Sequence, residues 1–201
     1  MKIFEQKKFF TKREFKITES KLYFNISKFG DGNEIDIPFE NIDGDKVSFK
    51  STNGFALSVA LLFYVVGIAT YISSNLYGEN EDPYLALFWL ALGTVMLVIY
   101  FVTKKDFWKI KLSNNSYVYV HKKIPSEEKT NEFLDELIKT RNRYLRENYA
   151  IIDENLNYEN QLGNFRWLKS INAITKEEFD QKYEELKRTV KPEKRNVGFG
   201  K

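Results

Sequence analysis

The chain contains two long stretches of apolar residues near its middle. No charged residue lies between Lys50 and Glu79, and none lies between Asp82 and Lys104. An α-helix rises about 1.5 Å per residue, so about 20 residues cross the apolar core of a bilayer. The pattern therefore predicts two transmembrane helices. Their expected bounds are 54–76 and 84–103, with an external turn at 77–83 between them.

The alternative is a pair of buried core helices in a soluble protein, but such helices rarely lack every charge over this length. The basic residues also indicate an orientation. All 31 Lys and Arg residues lie outside the segment 51–103. Because loops rich in Lys and Arg stay on the cytoplasmic side, we expect both termini in the cytoplasm and the turn outside.

The flanking segments alternate between apolar and polar residues with a period of two, which is typical of half-buried strands. Strands are expected near Phe15–Ile17, Leu22–Ile26, Ile35–Phe39, Lys46–Phe49, Phe107–Leu112 and Tyr117–Val120. A turn is expected at Asp43–Asp45, and a helix is expected near 126–149 with Ser126 as its N-cap.

Neither group of short strands is large enough for a core of its own. We therefore predict an α+β fold, in which segments 1–53 and 104–150 form one cytoplasmic domain. The domain would contain a single antiparallel sheet or small barrel closed by the helix, with the transmembrane hairpin inserted between its two parts.

The segment Asn33–Ile42 reads NEIDIPFENI. It resembles a recurrent strand of bacterial pleckstrin-homology-like (PH-like) domains, which ends in an apolar-Pro-aromatic-x-x-Ile step. The resemblance covers the segments 10–50 and 105–148, and it extends to the order of strands followed by a helix. It implies a PH-like domain in a multi-pass protein of the bacterial inner (cytoplasmic) membrane. An unrelated α+β domain is the alternative.

The segment 157–188 has the pattern of a helical hairpin. Its second helix opens with a capping box, Thr175 to Glu178, in which each side chain bonds the other residue's backbone. The pattern resembles the short C-terminal (SHOCT) domain, with Asn172 in place of the usual glycine. The matching positions are Leu168, Ile174, Thr175, Glu178, Phe179, Lys182 and Leu186. The resemblance implies a two-helix module that mediates oligomerisation.

Two short helices offer little apolar surface for a core, so we expect a second copy to supply the missing burial. The candidate oligomerisation residues are Phe165, Leu168, Ile174, Phe179, Tyr183 and Leu186. An ordinary helical hairpin is the alternative. Residues 189–201 are polar and are expected to form a disordered tail.

Residues that carry enzyme chemistry are sparse. The chain has no cysteine and one histidine, His121, and it has no phosphate-binding loop or nucleophile motif. A single histidine on a strand is far more often structural than catalytic. We therefore expect no enzymatic activity, no catalytic residue, no metal site and no cofactor.

Five positive charges lie close together near the N-terminus, interleaved with Phe9, Phe10 and Phe15. The candidate lipid-headgroup residues are Lys7, Lys8, Lys12, Arg13 and Lys16. Each basic residue near an anionic membrane surface contributes about 1 kcal/mol to binding. The alternative is a solvated strand face whose aromatic residues belong to the core. No recognition motif accompanies the charges, so no nucleic acid is expected as a partner.

Together these patterns predict a non-enzymatic integral membrane protein with a cytoplasmic PH-like interaction module and an oligomerising C-terminal domain. Its expected partners are membrane lipid and either a second copy or another membrane protein. Two other functions remain open from the sequence, those of an anionic-lipid surface sensor and of an accessory subunit of a larger membrane complex.

Overall fold

The computed structural model describes residues 2–76 and 83–190. The chain divides into two compact units, one built from Met1–Ser48 and Trp108–Lys201 and the other from Phe49–Phe107. The strands are β1 (Lys2–Lys8), β2 (Thr11–Ile17), β3 (Lys21–Lys28), β4 (Asp31–Pro38), β5 (Ile42–Ser51), β6 (Lys105–Leu112) and β7 (Tyr117–His121). The α-helices are α1 (Gly54–Leu76), α2 (Pro83–Thr103), α3 (Glu127–Tyr149), α4 (Tyr158–Ser170) and α5 (Lys176–Thr189).

The strands form two antiparallel sheets, with the orders β1-β2-β3-β4 and β5-β6-β7. The predicted α+β class is thereby confirmed. The expectation of a single sheet or barrel is wrong. β1, which the sequence pattern did not reveal, forms one sheet with β2 to β4 through consecutive hairpins, and β5 pairs with β6 in the other sheet. A short 3-10 helix, Phe39–Asn41, then separates β4 from β5. The turn expected at Asp43–Asp45 lies inside β5.

Both sheets and α3 contribute side chains to one hydrophobic core. Phe15 and Leu22 come from the first sheet, Ile110 from the second and Phe133 from α3, and all four are almost completely buried. Phe4 on β1 stacks on Phe133, with ring centroids 4.4 Å apart. Residues from before and after the two apolar helices therefore share a core, which explains how strands too few to fold separately become stable together.

Gln6 on β1 joins the first sheet to the end of β7. Its side chain is 1% exposed. The side-chain amide donates to the carbonyl oxygen of His121 and accepts from the N–H of the same residue, both over 2.8 Å. It thus completes the hydrogen bonds that a neighbouring strand would otherwise make. This contact gives the buried position of His121 a structural explanation.

The other unit consists mainly of α1 and α2, which pack side by side. Glycines allow the close approach, since a Cβ added at Gly67 would lie 3.0 Å from the Leu90 side chain and one at Gly93 would lie 3.3 Å from Tyr64. The hydroxyl groups of Tyr64 and Thr94 lie 3.0 Å apart. Interhelical polar contacts of this kind stabilise helix pairs in lipid.

Both apolar helices, Gly54–Leu76 and Tyr84–Thr103, are long and apolar enough to cross a membrane. Only 17% and 11% of their most apolar windows are buried. A core helix of a soluble protein would be mostly buried, so this exposure favours the membrane interpretation over the soluble one. The external turn predicted at 77–83 lies outside the described residues, apart from Pro83, where α2 begins.

The C-terminal part forms the predicted helical hairpin, α4 and α5. Thr175 and Glu178 make the expected capping box. Asn172 has a left-handed φ of 55°, which asparagine tolerates at the end of a helix. A second hydrophobic cluster joins both helices to Leu145 near the end of α3. The predicted disordered tail begins inside α5, which ends at Thr189, and its residues beyond Val190 lie outside the described part of the chain.

Candidate lipid-binding surface

Two tight turns lie next to each other at one end of the four-stranded sheet. Phe9 and Phe10 connect β1 to β2, and Phe29 and Gly30 connect β3 to β4. The strand register places Thr11 opposite both Lys8 and Lys28, while Lys28 is also opposite Asp31. The turns are therefore neighbours in space, although 18 residues lie between Phe10 and Phe29 in the sequence.

The three phenylalanines of these turns, Phe9, Phe10 and Phe29, form what we call the phenylalanine tip. Their exposed fractions are 61%, 71% and 82%. The rings of Phe10 and Phe29 stack with centroids 4.9 Å apart, and the N–H of Phe29 donates to the carbonyl oxygen of Phe10 over 3.3 Å. By contrast, Phe15 on β2 is fully buried. The tip is thus an apolar surface outside the core.

The backbone of the tip is strained at two of its aromatic residues. Phe9 has φ of 50° and Phe29 has φ of 51°. Bulky side chains rarely occupy this left-handed region, whereas asparagine and glycine tolerate it. The other described non-glycine residues with positive φ are both asparagines, Asn115 and Asn172. Strain of this kind is found most often at functional sites, because folding alone would select another residue.

Basic residues surround the tip on both faces of the sheet. Lys7 and Lys12 lie directly opposite each other in the register. Lys8 and Arg13 lie on the other face, because side chains alternate along each strand and Arg13 is opposite the buried Gln6. Four of the five predicted headgroup residues are therefore brought together. The remaining one, Lys16, is opposite Ile3 and Tyr23 at the far end of the strands, about 16 Å along β2 from Thr11.

Nearby acids and partial burial modify the basic charges. Lys12 forms ion pairs with Glu14 at 3.1 Å and Glu5 at 3.2 Å, and these hydrogen bonds raise the pKa of Lys12. Partial burial and the nearby Arg13 lower the pKa of Lys8. Burial also lowers the pKa of Arg13. The positive charge is therefore concentrated between the turns and the Glu5–Glu14 pair of the register, and it is smaller on the side of that pair away from the tip.

Sequence reasoning missed two members of this surface, Lys28 and Phe29. Both belong to the second hairpin, and only the strand register brings them beside Phe10. The available clue was the bulky Phe29 directly before Gly30 in the sequence, where a turn is favoured. An exposed aromatic residue in a turn has no role in a core, so it points to a surface function.

The candidate oligomerisation residues lie mostly inside the chain's own second hydrophobic cluster. Phe165, Leu168, Ile174 and Leu186 are buried there. Phe179 and Tyr183 are partly exposed, with their rings stacked at 6.1 Å. We expected a second copy to cover these residues, but the end of α3 and the segment after it, with Leu145, Ala150 and Ile152 among their cluster residues, provide the cover instead. Four of the six residues are therefore not available at the surface for contact with another molecule.

Within residues 2–76 and 83–190, no group of three or more His, Asp or Glu side chains is placed to hold a metal ion. One carboxylate, Glu40, accepts hydrogen bonds from the hydroxyl groups of Tyr149 at 2.9 Å and Tyr144 at 3.2 Å. The group is a structural contact between the 3-10 helix and α3, with the carboxylate already engaged. The phenylalanine tip with its basic surround is the strongest candidate site.

Comparison of the chain with models of protein families found no match, and comparisons with curated proteins and with solved structures found none either. The PH-like and SHOCT resemblances therefore stay predictions from the sequence.

Proposed function

We propose that the chain is a non-enzymatic integral membrane protein, anchored by α1 and α2, whose soluble unit is an interaction module. The observation that supports this most directly is the pair of uncharged helices of membrane-spanning length, of which only a small part is buried. Without lipid around it, so much apolar helix surface would drive aggregation.

The proposal places the protein in the bacterial inner membrane with both termini in the cytoplasm. The absence of Lys and Arg from the segment 51–103 supports this orientation. The PH-like description of the soluble unit rests on the segment Asn33–Ile42, and the SHOCT description rests on the α4–α5 hairpin. Assembly through that hairpin has less support, because four of its six candidate residues are covered by the chain itself.

Cysteine labelling tests the anchoring and the orientation together, since the chain has no cysteine of its own. We expect Asn80→Cys to react with a membrane-impermeant thiol reagent in intact cells. Glu154→Cys, in the exposed segment between α3 and α4, should react only after the cells are permeabilised. Resistance of the protein to carbonate extraction should accompany this result. The opposite labelling would overturn the orientation, and extraction by carbonate would overturn the anchoring.

The second candidate function is that of an anionic-lipid surface sensor. The grouping of Lys7, Lys8, Lys12 and Arg13 at one end of the sheet supports it. A sensor of this kind responds to the charge of the inner leaflet, and its response weakens as salt screens the surface potential. In lipid nanodiscs containing phosphatidylglycerol, we expect the soluble unit to resist proteolysis more strongly at low salt than at high salt. Equal resistance at both salt concentrations would contradict this function.

A further inference from the structure

The phenylalanine tip is not explained by folding. Phe9, Phe10 and Phe29 contribute little to the core because each is more than half exposed. Two of the three also hold the backbone in a left-handed conformation, which is unfavourable for a bulky side chain. Exposed apolar groups in strained turns indicate a binding surface whose partner is absent from the isolated chain.

We propose that the phenylalanine tip is a wedge that inserts into the interfacial region of an anionic bilayer. Aromatic side chains are favoured at the level of the lipid headgroups, where their apolar rings leave water. The basic residues around the tip then lie at the height of the phosphates. These residues are Lys7, Lys8, Lys12, Arg13 and Lys28.

Charge complementarity favours lipid as the occupant. Asp31, the first residue of β4, directly follows the turn at Gly30 and is opposite Lys28. Glu5 and Glu14 lie farther from the turns and are engaged with Lys12. The end of the sheet is therefore positively charged around an apolar centre, which is the arrangement that matches an anionic headgroup layer over hydrocarbon.

The size of the tip also favours lipid over a second protein. Two adjacent turns present a narrow convex surface, because neighbouring strands are about 5 Å apart. A stable protein interface buries about 800 Å² on each partner, which three side chains do not provide. Insertion into lipid needs no complementary surface, and each buried ring contributes by its own transfer from water.

The inference rests on the proposed membrane anchoring in one respect. The covalent connection to α1 and α2 tethers the soluble unit to a bilayer and so raises the local concentration of lipid, which makes a weak insertion of the tip sufficient. The soluble unit would then contact lipid at the tip as well as through its anchor. This second contact would depend on anionic lipid, which is the property that the sensor function requires.

The experiment uses the full chain reconstituted in nanodiscs, because a membrane-anchored protein cannot be tested by simple flotation. Asp31→Cys introduces a single cysteine beside the tip, at an exposed residue, and it is labelled with an environment-sensitive fluorophore. Discs of phosphatidylcholine alone are compared with discs that also contain phosphatidylglycerol. Quenchers attached to the lipids report contact between the label and the bilayer.

The tip variant combines Phe9→Asn, Phe10→Ser and Phe29→Asn. Asparagine tolerates the positive φ of residues 9 and 29. Phe29→Asn also creates an Asn-Gly pair with Gly30, which is strongly favoured in two-residue hairpin turns, so the fold should persist. The matched control is Val47→Ser on β5, which removes an apolar side chain of similar exposure, 56%, away from the tip. Circular dichroism checks that all proteins are folded.

We expect a blue-shifted, lipid-quenched label in anionic discs for the parent protein and for Val47→Ser, and loss of both effects in the tip variant. Discs of phosphatidylcholine alone should give weaker quenching for the parent. Equal emission and quenching in the parent and the tip variant would overturn the proposal. An oligomer that the tip variant dissociates, without lipid quenching in the parent, would also overturn it and would identify a second copy as the occupant.

Carbonate extraction of membranes from cells that express the same proteins separates this inference from the proposed function. If the protein is extracted, the membrane anchoring fails. If the protein stays in the membrane but the label is not quenched, the anchoring stands and only the wedge is wrong.

Discussion

The backbone N–H of Gly44 on β5 donates a hydrogen bond to the carbonyl oxygen of Ile171 at the end of α4, over 3.0 Å. The guanidinium of the buried Arg141 donates to the same oxygen over 2.9 Å. The neighbouring Asn172 side chain donates to the Asp45 carboxylate, also over 2.9 Å. This junction fixes the C-terminal helical hairpin to a strand that lies far away in the sequence.

Replacing Gly44 by alanine should destabilise the soluble unit. A Cβ at this position would lie 2.9 Å from both the Asn172 Cβ and the Ile171 carbonyl oxygen, so one of the two segments has to move. Overpacking of this kind costs about 1–3 kcal/mol of unfolding free energy. Thermal unfolding followed by circular dichroism should show a lower midpoint for Gly44→Ala.

The control is Gly163→Ala in α4, where nothing lies within 4 Å of the new Cβ. Alanine is favoured over glycine inside a helix by about 1 kcal/mol, so this variant should be more stable than the parent. Equal effects of the two substitutions would mean that the Gly44 junction is not formed.

Phe29→Asn should stabilise the protein although it removes a large apolar side chain. Asparagine tolerates the φ of 51° at this position, and relief of the strain is worth about 1 kcal/mol. For a chain of this size that gain raises the midpoint of thermal unfolding by about 2–4 °C. Phe10→Asn, at a residue whose φ is not positive, is the control and should give no increase. A lower midpoint for Phe29→Asn would show that the packing of the Phe29 side chain outweighs the backbone strain at this residue.

Gln6→Glu should destabilise the soluble unit at neutral pH by about 3 kcal/mol, because a buried carboxylate replaces an amide that donates to the His121 carbonyl oxygen. Burial raises the pKa of such a carboxyl group, so its folded form binds a proton more readily than its unfolded form. The loss should therefore shrink as the pH falls towards about 4. Gln181→Glu, at an exposed position of α5, should change little at either pH. A loss of unfolding free energy that does not change with pH would contradict the burial of the Gln6 side chain against His121.

The contact between Tyr149 and Glu40 should make the free energy of unfolding fall as the pH becomes strongly alkaline. The hydrogen bond to the carboxylate, together with burial, raises the pKa of Tyr149 to about 12. The unfolded value is about 10, so the folded state holds the phenolic proton more tightly. The stabilisation is therefore complete below about pH 10 and is lost as the pH rises from 10 to 12.

Unfolding midpoints of the parent and of Tyr149→Phe, measured at increasing pH, test this contact. The parent should be more stable at pH 9, and the two curves should converge above pH 10. Tyr117→Phe, at a tyrosine that is 42% exposed, should follow the parent throughout. If the difference in unfolding midpoint between the parent and Tyr149→Phe stays constant with pH, the protonated hydroxyl group of Tyr149 does not stabilise the fold through its hydrogen bond to Glu40.

Leu168→Ala separates packing within the chain from packing between copies. Leu168 is fully buried in the second hydrophobic cluster, so its truncation should cost about 3 kcal/mol of unfolding free energy. The molar mass of the detergent-solubilised protein, measured by light scattering, should not change as long as the protein is folded. A lower mass for a folded Leu168→Ala protein would restore the assembly role of the hairpin.

Local pattern alone predicted the elements whose formation depends on nearby residues. The uncharged stretches predicted α1 and α2 to within one residue at their described ends, because spanning length and charge are properties of a single segment. Ser126 and the Thr175–Glu178 capping box were likewise identified correctly, since a cap forms within one turn of helix. The α+β class followed from short segments that alternate between apolar and polar residues, which predicted strands, together with the predicted helices.

Tertiary structure decided which distant residues meet. The pairing of β1 with β2 and the neighbouring position of the two turns created the phenylalanine tip, which no single segment contains. The same long-range packing separated Lys16 from the other basic residues and covered Leu168 with the chain's own helices. Sequence periodicity tells which face of an element is apolar. Which partner covers that face depends on the register and packing of segments far apart in the chain, because apolar contacts are not directional.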